Sequence, residues 1–169
     1  MSVAFPEPTD PIGSPEQVFL GYLDYFRATL AAKLGGLDEQ ALRHSSLPSG
    51  WAPLELLKHL VAMERRWLVW GFEGEDVGDP WVDQRDGRWY AAPDDTLVDL
   101  VEQLHAGGRR TREIVERSSL DDVGMPGERW DGDVPPRLER VLFHVLQEYA
   151  RHAGHLDIVR ELADGTVGE

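Results

Sequence analysis

Glu148 and His152 stand four residues apart in a segment with helical apolar periodicity. At about 100° per residue their side chains leave one helix on nearly the same side, one turn above the other. A carboxylate and an imidazole so placed can share a cation. His152 falls within the apolar stripe of Val145, Tyr149, Leu156 and Val159, and Glu148 lies at its edge. A carboxylate or an unpaired imidazole in that setting is costly unless it is paired, protonated or bound to a cation. His59, beside Leu56 and Met63 at the margin of an earlier apolar face, offers a third ligand. If the two helices face each other, the three residues hold one divalent ion and leave a position for water or substrate, the arrangement of a reactive zinc. The same spacing also describes a hydrogen-bonded Glu–His pair with a satisfied boundary histidine, so spacing alone leaves both readings open.

Other polar residues are weighed in the same way. His155, next to Gly154 and one turn from His152, is the candidate to line a pocket and the one nominee for a catalytic general base. His144, one turn before Glu148, is read as a partly exposed, hydrogen-bonded histidine. Glu64 falls in an apolar stripe but is five residues from His59, about 140° around the helix, so it is expected to pair with an arginine rather than share the ion. Arg65–Arg66 and Arg109–Arg110 read as solvated charge with carboxylate partners, and Trp67 and Trp70 as core or edge-of-core aromatics. His44 and His105 carry no readable signal.

Four helical segments must position these groups. Ser14, Pro15 and Gln17 form a helix start with a capping box, and Phe19, Tyr22, Phe26 and Leu30, with Leu23 alongside, continue to a stop at Gly35–Gly36. After a polar turn at 45–50, residues 53–70 carry Leu56, Leu57, Leu60, Met63 and Trp67 on one face. Residues 71–93 break the pattern with glycines, prolines, acids and Trp81, Trp89 and Tyr90, and a loop of this length in a compact domain is functional or loosely ordered. Asp94 and Asp95 can cap a third helix bearing Leu97, Leu100, Val101, Leu104, Thr111 and Val115. Gly107–Gly108 inside it points to a close backbone approach, a bend or a cavity. A second irregular segment, 118–134, leads to Pro135–Pro136 and a last helix that Gly165 ends. No strand alternation is sustained. The expected fold is all-α: a four-helix bundle, one domain over 1–169, with long loops after the second and third helices.

Composition narrows the chemistry. Against 31 acidic side chains stand 17 basic ones, a net charge of −14, which repels a phosphate backbone and argues against nucleic-acid partners. The absence of cysteine removes disulfides, thiolate ligands and an internal cysteine nucleophile, so thiol chemistry would have to arrive on a second substrate. Neither a leader-like opening nor a membrane-length apolar run occurs, and the cytoplasm is the expected compartment.

Residues 51–67, WAPLELLKHLVAMERRW, and 147–161, QEYARHAGHLDIVRE, together resemble the DinB-like superfamily. They look particularly like the branch containing mycothiol-dependent maleylpyruvate isomerases. The resemblance implies zinc, or another divalent ion such as nickel, held by a second-helix histidine and two ligands four residues apart on the last helix. Many members have His at both last-helix positions, whereas the mycothiol-linked branch has Glu then His, as here at Glu148 and His152. It also implies a homodimer. Because the chain ends at Glu169, it is expected to lack the extra C-terminal domain of the full isomerases, and isomerisation is not carried over.

The leading expectation is a metal-dependent transferase acting on a small-molecule substrate with a low-molecular-weight thiol such as mycothiol, the cation activating the sulfur. The alternatives are a metal-dependent hydrolase using water, with His155 as its base, and a non-enzymatic bundle that binds metal or a small ligand.

Overall fold

The computed structural model describes residues 3–11 and 13–168. Helix α1 spans Pro15–Gly35, started as expected: the Ser14 side chain accepts from the Gln17 backbone N–H at 3.4 Å, with Pro15 at the first position. The Gln17 side chain reaches back past the cap to accept from Gly13 N–H at 3.0 Å. A short helix that periodicity did not reveal, α2 (Glu39–Arg43), follows under an Asp38 cap. Helix α3 (Pro53–Arg65) corresponds to the expected second helix and runs into a π-helical segment, Arg66–Phe72.

Helix α4 spans Leu97–Arg117. Its cap is Thr96, which accepts from Asp99 N–H at 3.1 Å, rather than Asp94 or Asp95. Asp95 instead accepts from Lys58 at 2.7 Å and from Ala92 N–H at 2.6 Å, tying the loop to α3. Helix α5, Leu138–Asp164, begins two residues beyond Pro136 and ends at Gly165, whose φ of 76° is the left-handed cap conformation that glycine favours. Between α3 and α4 lies a hairpin of β1 (Gln84–Arg85) and β2 (Arg88–Trp89), antiparallel, with Arg85 opposite Arg88.

The protein is therefore mostly helical. Helix α1 packs on α4 and α5, and α3 packs on the same two. One apolar cluster joins Leu23, Leu30 and Leu34 of α1 with Leu57 and Leu60 of α3, Leu100 and Ile114 of α4, and Leu142 and Leu156 of α5. The buried line of α1 is Leu20, Leu23, Arg27, Leu30 and Leu34, rotated away from the aromatic stripe read from the sequence. Those aromatics sit higher on the flank, where Phe5 packs edge-on against Tyr22 and Tyr25 at centroid distances of 5.7 and 5.1 Å.

The rotation places Arg27 inside, and Glu64 meets it there. Glu64 accepts from both Nε and Nη2 of Arg27, from Thr111 Oγ1, and from Tyr149 Oη at 2.6 Å. Burial opposes the guanidinium charge, but Glu64 and Tyr149 more than offset it and hold the Arg27 pKa above its ordinary value. The glycine pair in α4 now has a reason: a Cβ at Gly108 would lie 3.1 Å from Arg27 Cδ, so the pair admits a close approach.

Removing one member of such a network leaves a buried charge uncompensated. Glu64→Ala is expected to cost about 3–5 kcal/mol, while Arg27→Met with Glu64→Leu together should recover most of that loss. Urea denaturation of the three chains measures both effects, and a loss under about 1 kcal/mol for the single variant would contradict this account.

Candidate metal centre

Helix α3 carries His59 and α5 carries Glu148 and His152, and the packing of α3 on α5 brings them together. Among the described residues these three form a group whose ligand atoms all lie within 4.8 Å of one another. His152 Nε2 is 3.3 Å and His59 Nε2 is 3.9 Å from Glu148 Oε2. Four-coordinate zinc with bonds of about 2.0–2.1 Å needs ligand atoms about 3.3 Å apart; of the three pairs, His152–Glu148 already has that separation, His59–Glu148 needs a small contraction, and the two imidazoles lie within 4.8 Å. The donor set of two neutral imidazoles and one carboxylate carries a single negative charge, which suits a divalent cation. The residues present fit such an ion.

Each imidazole is held from behind, so that Nε2 faces the carboxylate. His59 Nδ1 lies 2.9 Å from Asp83 Oδ2. Asp83 is fully buried and clamped in turn by Arg66, at 2.5 Å from Nη1 to Oδ1 and 3.1 Å from Nη2 to Oδ2. Arg66 also donates to the Pro80 carbonyl at 2.9 Å and lies 4.6 Å under the Trp81 ring. Burial pushes the Asp83 carboxyl up, but the hydrogen bonds from His59 and Arg66 and the Arg66 charge outweigh it and hold the pKa below its ordinary value. A carboxylate there accepts from His59 Nδ1–H, which leaves the Nε2 lone pair for a cation.

The short hairpin closes the site. Asp86 and Gly87 form its two-residue loop with φ of 52° and 73°, the left-handed pair of a type I′ turn. Trp89, on the second strand, stacks on His59 at 4.5 Å with an interplanar angle of 21° and meets His152 edge-on at 5.2 Å. Trp51 stands behind Trp89 at 6.1 Å. Two clefts share walls with residues near the cluster: one of about 400 Å³ lined by Ser49, Trp51, Glu55, Arg88 and Trp89, which stacks on His59, and one of about 600 Å³ lined by Trp67, Trp130, Val141 and His144, one turn before Glu148.

On α5, burial, reinforced by the nearby His59, pushes the His152 pKa down to about 4. His152 is thus a neutral imidazole at neutral pH, the form that ligates. Its Nδ1 lies 3.2 Å from His155 Nδ1, so His155, the nominated catalytic residue, stands behind the ligand. His144 lies apart from the three, half-buried against Trp67 at 4.3 Å; burial keeps its pKa below the ordinary value.

Sequence reasoning did not single out Asp83, Arg66 or Trp89. Arg66, expected as solvated charge with a carboxylate partner, has that partner in Asp83 but is buried; its signal is its place seven residues after His59, two helical turns on along the same face. Arg110 does pair with carboxylates, Glu73 at 2.5 Å and Glu75 at 2.6 Å, and Arg109 with Glu102 at 3.1 Å. Among the described residues His44 bonds its own helix, through Gln40 O at 2.9 Å. No helix among the described residues is long and apolar enough to cross a membrane.

Comparison with known families adds one match. A family model described as mycothiol-S-transferase matches residues 18–165. No curated protein matches the chain.

Proposed function

The chain belongs to the mycothiol-S-transferase family, a DinB-like family, and from that premise we propose that it is a divalent-metal-dependent transferase that joins a low-molecular-weight thiol of the mycothiol kind to a small electrophile. The observation that carries the reading is the convergence of His59, Glu148 and His152 from two helices, within 4.8 Å, in a chain without cysteine. In this reading the four long helices form a DinB-like bundle around that site, and the ion is zinc. When bound, the cation lowers the pKa of an incoming thiol and fixes its sulfur as the nucleophile.

The chain's own residues supply the rest. His59, Glu148 and His152 bind the ion, and a set of only three leaves room for the sulfur. Asp83 holds His59, while His155 accepts from His152 Nδ1–H and so orients the second imidazole; for transfer it is a positioning residue. Trp89 covers the imidazoles and restricts water on that side. The thiol would give up its proton to solvent on binding, and as the carbon–sulfur bond forms the electrophile's carbon–leaving-group bond breaks, the leaving group (bromide for a bromobimane) departing with the bonding pair.

Metal content of untagged protein, followed by conjugation assays pairing mycothiol, glutathione or N-acetylcysteine with a fluorogenic bimane electrophile, tests the proposal. Product should require both thiol and metal, fall at least about 100-fold with chelator and return when zinc is restored, since the thiol otherwise stays protonated. Turnover indifferent to chelator, or no bound metal, would remove the reading.

A further inference from the structure

Arg129 is a cation that its surroundings leave without a counter-charge. In a chain of net charge −14, Arg27, Arg66, Arg110 and Arg160 all sit against carboxylates. Among the described residues Arg129 forms no ion pair, and its Nε is buried with no hydrogen-bond partner. What surrounds it is aromatic: the guanidinium lies 4.3 Å from the Trp67 ring, 5.4 Å from Trp130 and 5.8 Å from Trp70. Ring faces attract a cation but accept no strong hydrogen bond in its plane, so the fork of N–H donors is left to an outside acceptor. A guanidinium with unmet donors in a partly desolvated setting is matched by a carboxylate or another planar anion.

The position of this group gives the anion a purpose. Trp67 and Trp130, the rings in contact with the guanidinium, also line the cleft of about 600 Å³, together with Pro136, Val141, Arg140 and His144. His144 precedes Glu148 by one turn of α5, so one wall of the cleft lies about one helical turn from the proposed metal ligands. Its walls are mostly apolar, as a site for a flat hydrocarbon body requires.

Resting on the transferase reading above, we propose that this cleft takes the electrophilic co-substrate and that Arg129 binds an anionic group on it, which makes the preferred electrophile a compact apolar or aromatic acid. The thiol and the electrophile would then meet at the position that His59, Glu148 and His152 leave open on the ion.

The test uses the full chain and a matched pair of unreactive probes, 2-naphthoate and 2-naphthamide, with tryptophan fluorescence as readout. The wild type should bind the acid at least about tenfold more tightly than the amide, the size expected of a charge-assisted bidentate contact. Arg129→Met should erase that preference, Arg129→Lys should keep part of it, and chelator should leave it unchanged. Equal binding of the two probes, no binding of either, or an acid preference that survives Arg129→Met would overturn the proposal. A preference lost with chelator would overturn it too, because the carboxylate would then sit on the metal. Should Arg129→Met fail to fold by circular dichroism, the wild-type ratio and the lysine variant decide. Because no thiol is present, this result stands apart from turnover: an acid preference in a chain that fails the conjugation assay with thiol, electrophile and metal supplied would sink the transferase reading and leave the anion site standing.

Discussion

Glu148→Ala should leave a folded helical protein that binds no stoichiometric metal and shows no metal-dependent turnover. Glu148 supplies the one formal charge among the three ligands, and its Oε2 is the atom both imidazoles face, at 3.3 and 3.9 Å. Without it two neutral donors remain, which is too few to strip a divalent ion of its water. Loss of an outer partner alone costs 10- to 100-fold in metal affinity, so loss of this ligand should exceed about 100-fold. Glu148 is only partly buried and has no role in the core, so the helical circular dichroism should not change. Glu148→Gln separates charge from shape: it keeps the side chain's length and should fail nearly as badly. Metal per chain by mass spectrometry and the visible spectrum of a cobalt-substituted protein read the result directly. A variant that still holds one metal per chain would mean that the ion sits elsewhere.

How much of this could be read from the residues follows from how local each signal is. The long helices were legible because caps and apolar periodicity repeat over many residues, as at Ser14–Gln17 and along Leu138 to Val159. Glu148 and His152 were legible for the same reason, since one helix fixes their relation. Glu64 could be assigned an arginine, but not Arg27 in particular, because the rotation of α1 depends on which face the other helices accept. The hairpin at Gln84–Trp89 escaped because each strand has two residues, too few for alternation, and its Asp86–Gly87 turn is flanked by polar side chains. Asp83 escaped with it, for a residue just before the hairpin meets His59 only after the chain has folded across 24 positions. Groups that hold a site from a neighbouring segment leave no periodic trace, and here they include the carboxylate on which one ligand depends.

That dependence makes Asp83→Ala the second large expected effect, and its two consequences can be measured apart. The substitution removes the acceptor for His59 Nδ1 at 2.9 Å and both acceptors of Arg66, which keeps only the Pro80 carbonyl in a buried setting. Stranding a buried guanidinium should cost about 3–5 kcal/mol in urea denaturation of the metal-free chain. Freeing His59 to rotate, or to place its proton on Nε2, should weaken metal binding by about 10- to 100-fold in a competition titration. Arg66→Met with Asp83→Leu should recover most of the stability, because neither charge is left unpaired, while the metal affinity stays low because His59 still lacks its partner. This divergence distinguishes a carboxylate that positions a ligand from one that only neutralises a buried arginine. If the double variant recovered affinity together with stability, or if Asp83→Ala bound metal within about twofold of the wild type, Asp83 would be structural alone.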